Sequence, residues 1–282
     1  MSTVQPTIKR TTSMRIAIFA VAAVVVLVNG FPFYWMALTS IKPGTELFSD
    51  PPALLTLQPD VDAYVRLFTE TTMLTALRNS LVVSVGTTVL SVAVAALGAY
   101  GLTRFRFFGS GAFSTAILYA YTFAPIVIVV PLYGLFRDLG LVNSLFGLIL
   151  AYSSFGVPFA MWLLRPFFAA MPAELEEAAF VDGASRWKSA WYVVLPMATP
   201  ALIAVSVFTF LLAWEDYLFA RVLITEADHK TLPVALYDLF GASLQDWPLI
   251  MAFSVVINVP VLIGFVFAQR YLVAGWGAGG IK

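Results

Sequence analysis

The chain has 282 residues, no cysteine and one histidine, with 60% hydrophobic and 11% charged residues; 16 Lys plus Arg balance 16 Asp plus Glu. Soluble domains carry about 25% charged residues, so a soluble globule, a disordered chain and a basic nucleic-acid binder are excluded. The absence of cysteine rules out disulfides and thiol chemistry, His229 alone cannot form an HExxH zinc site, and a mean hydropathy of +0.89 leaves an integral membrane protein.

A membrane-crossing helix needs roughly 20 mostly apolar residues, because the hydrocarbon core is about 30 Å thick. After a tail at 1–15, six stretches qualify: Ile16–Thr39, Ser80–Leu102, Ala112–Phe136, Ser144–Leu164, Pro200–Phe219 and Leu249–Gln269. Between them they hold two charges, Glu215 and Asp216. The expectation is an all-α integral membrane protein with six transmembrane helices. The first apolar run exceeds a signal peptide's h-region of about 7–15 residues, so a retained signal-anchor is expected.

Orientation follows from the basic residues between spans. With the N-terminus inside, the inner segments carry Lys9, Arg10, Arg15, Arg104, Arg106, Arg165, Arg186, Lys188, Arg270 and Lys282. The outer ones carry Lys42, Arg66, Arg78, Arg137, Arg221 and Lys230. Ten against six predicts that both termini are cytoplasmic. The acids run the other way, with Glu174, Glu176, Glu177 and Asp182 the four on the inner side.

The extracytoplasmic segment 40–79 contains Pro51-Pro52 and then Val61, Tyr64, Val65, Leu67 and Phe68 at near-helical spacing. This predicts a loop followed by a helix lying at the outer interface. The second and third outer connections, around 137–143 and 222–247, are short and medium. Residues 80–270 form a five-span core that includes the longest cytoplasmic loop, 170–199, and 271–282 form a glycine-rich tail.

In that loop Pro172 suits a first helical turn, and Glu174, Glu176 and Glu177 complement the positive end of a helix dipole. Gly183 is a natural residue for φ > 0 after the helix, and Ser185 can cap a second helix carrying Trp187, Trp191 and Leu195. Pro196 and Pro200 mark a turn into the fifth span. Small residues at Ala178-Ala179 let a helix sit deep in a groove of another protein. On spacing alone, a solvated loop folded back on the membrane is an equal reading.

Glu177-Ala178-Ala179, three residues, Gly183, nine residues, then Val193-Val194-Leu195-Pro196 resembles the EAA loop of permease subunits of binding-protein-dependent ABC importers. Ala99-Tyr100-Gly101, Arg104-Phe105-Arg106-Phe107, Pro131-Leu132-Tyr133, Gly140-Leu141-Val142-Asn143, Asp182-Gly183-Ala184 and Gln269-Arg270-Tyr271-Leu272 extend the resemblance to the carbohydrate, maltose-type branch. The resemblance covers nearly the whole chain. It implies the type I ABC importer permease fold in the bacterial inner (plasma) membrane, and no enzymatic activity. Glu176, Glu177, Ala178, Ala179, Asp182 and Gly183 would then dock into an ATPase subunit as a coupling helix. The tail residues Gly275, Gly279, Gly280 and Lys282 would reach into the ATPase dimer, although a glycine-rich terminus on its own reads as frayed. The implied partners are a second related permease, two ATPase subunits holding ATP and Mg, and an extracytoplasmic solute-binding protein. The chain has no G-x-x-x-x-G-K-[ST], in keeping with an energy source on another subunit. No cofactor, metal or catalytic residue is assigned to it.

Trp214-Glu215-Asp216-Tyr217 lies late in the fifth span, with Glu215 ~22 Å along it from Pro200. An acid at such depth faces a cavity or a partner. Carboxylates beside rings suit sugars, while fixing a gate or meeting the partner permease explains the same residues. Related carbohydrate permeases commonly have Asn at the position of Glu215 and Glu at that of Asp216. Asn258 is a second candidate for the substrate path, with an interhelical hydrogen bond as its plainer use. Pro260 cannot donate to the carbonyl of Val256 and predicts a kink. The expected cargo is a sugar or small oligosaccharide moved by alternating access. A glycerol phosphate or polyol is the near alternative, although the six spans contain no cation for a phosphate. Half of an ion-coupled secondary transporter would explain Glu215 but not the loop spacing.

Overall fold

The computed structural model describes residues 12–105, 107–122, 125–242 and 246–279. Among them every regular element is helical, and the chain forms two compact units: Met1–Thr69 with Leu244–Val256, and Glu70–Ser243 with Ile257–Lys282.

In the first unit, α1 (Thr12–Ser40) is apolar along most of its length and almost wholly exposed, as a helix facing lipid would be. A single 3-10 turn, Gly44–Glu46, precedes an irregular stretch and then α2 (Asp62–Thr69). The stretch is tied back: the buried Lys42 donates to the Ala53 carbonyl and lies 4.5 Å from the Trp35 ring, and Ser40 and Tyr64 hydroxyls pair at 2.8 Å. From α2, Ala63 and Leu67 are buried, and the Arg66 guanidinium bridges Asp62 at 2.8 Å and Asp246 at 2.6 Å.

Burial by itself would push the Asp246 carboxyl up, but hydrogen bonds from Arg66 and the Leu249 N–H, with the Arg66 charge, hold it below the ordinary carboxylate range. A depressed carboxylate stabilises fully above its unfolded value and loses this as pH falls through its folded value. A spin label on a cysteine at the exposed Val65 should therefore stay ordered at neutral pH and become mobile only as the pH falls below the ordinary carboxylate range. Asp246→Asn should show the mobile spectrum at pH 7.

The second unit holds α3 (Met73–Arg104), α4 (Ser110–Thr122), α5 (Pro125–Asp138), α6 (Leu145–Ala170), α7 (Glu174–Val181), α8 (Arg186–Ser189), α9 (Leu195–Glu215), α10 (Leu218–Leu223) and α11 (Leu232–Ala242). The last helix, α12 (Trp247–Gly279), enters it at Ile257. Its core is the mutual packing of α3, α6 and α9. Lipid offers apolar side chains no reason to associate, so close approach of small residues does the work. Ala95, Ala96 and Ala99 of α3 meet Ala160 of α6 and Ala198 and Ala201 of α9 in one buried cluster. A Cβ on Gly156 of α6 would lie 2.6 Å from Ser91 Oγ and 3.5 Å from Thr209 Cγ2. A second cluster joins Val83, Phe136, Leu148 and Tyr152 to Phe219, Ala220 and Leu223 of α10.

Five helical runs among the described residues are long and apolar enough to cross a membrane: Ile16–Ser40, Met73–Arg104, Leu145–Ala170, Arg186–Glu215 and Trp247–Phe267. The third expected span, Ala112–Phe136, falls on α4 and α5, with residues 123 and 124 outside the described residues. The fifth ends at Glu215 rather than Phe219 because α10 starts anew. Pro196 and Pro200 make no turn: the run is helical from Arg186, with a five-residue π-helical turn, Ala190–Val194, before α9. There the Leu195 N–H reaches the Ala190 carbonyl, and Pro196, in the first turn of α9, needs no donor. The last helix, α12, runs on to Gly279, so residues 271–279 of the expected tail are helical.

Candidate functional site: the loop between α6 and α9

Between α6 and α9 the chain leaves the apolar runs for one short acidic helix. Pro172 precedes this helix rather than sitting in its first turn, and Ala173 opens it without a side-chain cap. Glu174, Glu176 and Glu177 occupy the first turn of α7. Its end is a Schellman turn: Gly183, at φ +82°, donates to the Phe180 carbonyl at 3.0 Å, and Ala184 donates to Ala179 at 2.9 Å. Ser185 then caps α8, its hydroxyl accepting the Lys188 N–H at 3.3 Å. The rings of Trp187 and Trp191 stack with centroids 6.1 Å apart.

The exposed face of α7 combines small, apolar and acidic groups. Glu177, Ala178 and Asp182 are exposed, Ala179 is half-buried, and Val181 is 88% exposed. Glu176 points the other way and is buried. One of its oxygens accepts from Arg104 Nε, and the other accepts from the Tyr100 hydroxyl at 2.9 Å. Adjacent helical residues lie about 100° apart, so Glu176 faces α3 while Glu177 lies on the exposed face of α7. Tyr100 and Arg104 stand in quoted motifs, but the sequence does not reveal them as partners of Glu176, which lies more than 70 positions away.

Of the four residues at the end of the fifth span, two have structural duties. Trp214 is buried, stacks on Phe210 and donates from Nε1 to the Ile257 carbonyl at 3.3 Å. Asp216 Oδ1 accepts the N–H groups of Phe219 at 3.0 Å and Ala220 at 3.3 Å, capping α10. Glu215 is exposed, and among the described residues no hydrogen bond or ion pair reaches its carboxylate. Tyr217 is half-buried against Tyr237, ring centroids 5.1 Å apart. Asn258 is half-buried in α12. Gly275 and Gly279 lie in the last turns of α12, whereas Gly280 and Lys282 lie outside the described residues.

The sequence reading also passed over the two asparagines that order the connections. Asn143, at φ 55°, accepts on Oδ1 from the backbone N–H groups of Thr225 at 2.7 Å and Glu226 at 3.2 Å. Asn79, fully buried, donates to the carbonyls of Asp228 at 2.7 Å and Lys230 at 3.0 Å.

Residues 91–276 match the family described as binding-protein-dependent transport system inner membrane component. The chain is 37% identical over 276 residues to the inner membrane ABC transporter permease protein YcjP of Escherichia coli (strain K12), covering 97% of this chain and 98% of that one. It is 35% identical over 263 residues to the diacetylchitobiose uptake system permease protein DasC of Streptomyces coelicolor, covering 93% and 95%. A chain from the crystal structure of a bacterial ABC transporter involved in import of the acidic polysaccharide alginate superposes with a TM-score of 0.78 at 25% identity, covering 95% of this chain and 99% of that one. The chain therefore belongs to the permease family of binding-protein-dependent ABC importers. It is a multi-pass membrane subunit with the type I importer fold and performs no catalysis of its own.

Proposed function

We propose that this chain is one half of an ATP-driven pathway importing a sugar or small oligosaccharide. It pairs with a second permease, two ATPase subunits carrying ATP and Mg, and an extracytoplasmic binding protein. The observation that carries this reading is the exposed face of α7, ending at Gly183, which has the shape of a helix seated in a groove of another subunit. The excess of basic residues on the α7 side supports both termini, and α7, facing the cytoplasm. The sugar class rests on DasC, a diacetylchitobiose uptake permease, and on the alginate importer. Glu177, Ala178, Ala179, Asp182 and Gly183 form the ATPase-facing surface, and the end of α12 with Gly280 and Lys282 adds a second contact. Glu215, exposed beside Tyr217, is the group placed to meet substrate or gate the path.

Reconstituted with its partner subunits, the chain should accumulate a labelled oligosaccharide only with ATP and the binding protein present. Glu215→Gln should change the affinity or rate of that uptake without altering the thermal midpoint of the complex. Unchanged affinity and rate would remove Glu215 from the path, and uptake without the ATPase would overturn the importer reading.

A further inference from the structure

We propose that Glu176 is a positioning residue that makes α7 and α3 a single rigid lever, so that a push on α7 is delivered into the membrane. This rests on α7 being the ATPase-docking helix. The covalent links of α7 are short and irregular, Met171–Ala173 on one side and Asp182–Ser185 on the other. A helix held only by these would pivot when pushed. The Glu176 carboxylate supplies a third attachment, sideways. Its two oxygens are divided between Arg104 and Tyr100, both in the last two turns of α3.

Arg104 extends the attachment. Its Nη2 donates to the Met171 carbonyl at the end of α6 at 3.1 Å, so one guanidinium joins the ends of α3 and α6 to α7. The Tyr100 ring lies edge-on to Phe168 of α6 at 6.3 Å. The side chains of Arg104 and Glu176 are 17% and 7% exposed, so the carboxylate in particular has little access to water as a substitute partner. Removing one member of such a pair leaves a charge buried without compensation, which makes the link all-or-none rather than compliant. At the far end, α3 is a 32-residue helix, about 48 Å long, and carries a displacement of its inner end across the membrane. Two neighbouring glutamates thereby divide the labour: Glu177 faces outward with the docking surface, and Glu176 faces inward to the span.

The absence of cysteine allows a direct test. Spin labels on single cysteines at Glu174, exposed in α7, and Leu97, exposed in α3, report the distance between the two helices in the assembled complex. That distance should be equal in the nucleotide-free and ATP–vanadate-trapped complexes. With Glu176→Gln, whose amide offers one acceptor oxygen instead of two, it should differ between these states by more than about 2 Å, the scale of helix shifts in switching proteins. ATPase co-purification should be unchanged. Tyr100→Phe removes one hydrogen bond without unpairing a charge and should give an intermediate result. Sugar moved per ATP should fall about tenfold in Glu176→Gln, the size expected for a lost charged hydrogen bond. The proposal is overturned by a distance that already changes in the unaltered complex, or by one that neither substitution affects. Loss of the ATPase from the Glu176→Gln complex would also overturn it, by making Glu176 a docking residue. Failure of the unaltered chain to hold any ATPase would instead sink the importer reading itself.

Discussion

Gly183→Val is expected to lower ATP-dependent uptake at least about tenfold while the chain still inserts in the membrane. The cause is conformational. Gly183 sits at φ +82°, and a Cβ added there would meet nothing within 4 Å, so there is space for a side chain but not the backbone freedom. An L-residue in this region costs roughly 1–2 kcal/mol, and a β-branched one more. The Schellman turn would open, and with it the angle between α7 and α8. A graded series separates this cause from simple bulk. Asparagine, which tolerates left-handed backbone, should retain most uptake, alanine should lose part and valine nearly all. An order set by side-chain volume, with alanine better than asparagine, would show instead that a partner surface packs on the glycine.

Asp216→Ala carries the second large effect, on stability rather than coupling. It strips the hydrogen-bond acceptor from the Phe219 and Ala220 N–H groups, and a lost helix cap costs about 1–2 kcal/mol. The cost is not confined to six residues. Phe219, Ala220 and Leu223 of α10 are buried in the cluster shared with α6, so a frayed α10 exposes that core. The thermal midpoint should drop by several degrees, with uptake falling in proportion to folded protein. Asp216→Asn keeps an acceptor oxygen and should be milder. If Asp216→Ala keeps the midpoint but loses substrate affinity, the carboxylate belongs to the sugar path and the capping account fails.

These two positions show what the sequence revealed and what it hid. The apolar runs announced the spans, because burying uncharged stretches in lipid is a composition effect. Gly183 was legible as a helix terminator for an equally local reason: its spacing from an acidic first turn and its lack of a side chain. The restart of the helix at Leu218, inside the expected fifth span, was not legible, since an apolar run looks the same whether or not a helix ends within it. Nor was α11, a helix inside what reads as an outer loop. The surroundings of the site residues were hidden for the same kind of reason. Glu176 and Glu177 are chemically identical neighbours, and only the rotation of α7 against α3 decides which meets Arg104. Trp214 and Asp216 drew attention as polar groups deep in a span, yet their partners are backbone atoms, Ile257 O and the α10 amides, that no side-chain pattern announces. Glu215, whose carboxylate no hydrogen bond or ion pair reaches among the described residues, is the one proposed above for the substrate path or gate.

The central claim is that the exposed face of α7 seats in an ATPase subunit, and a single cysteine at Ala178 tests it most directly. In this naturally cysteine-free chain, co-expressed with its partner subunits, that cysteine should form a short-linker cross-link with the ATPase in membranes. A cysteine at the exposed Leu57, in the stretch between α1 and α2, should not. A covalent permease–ATPase adduct that appears only with Ala178→Cys is the predicted result. Its absence in a complex that still imports with ATP, or an equal adduct from Leu57→Cys, would contradict the account.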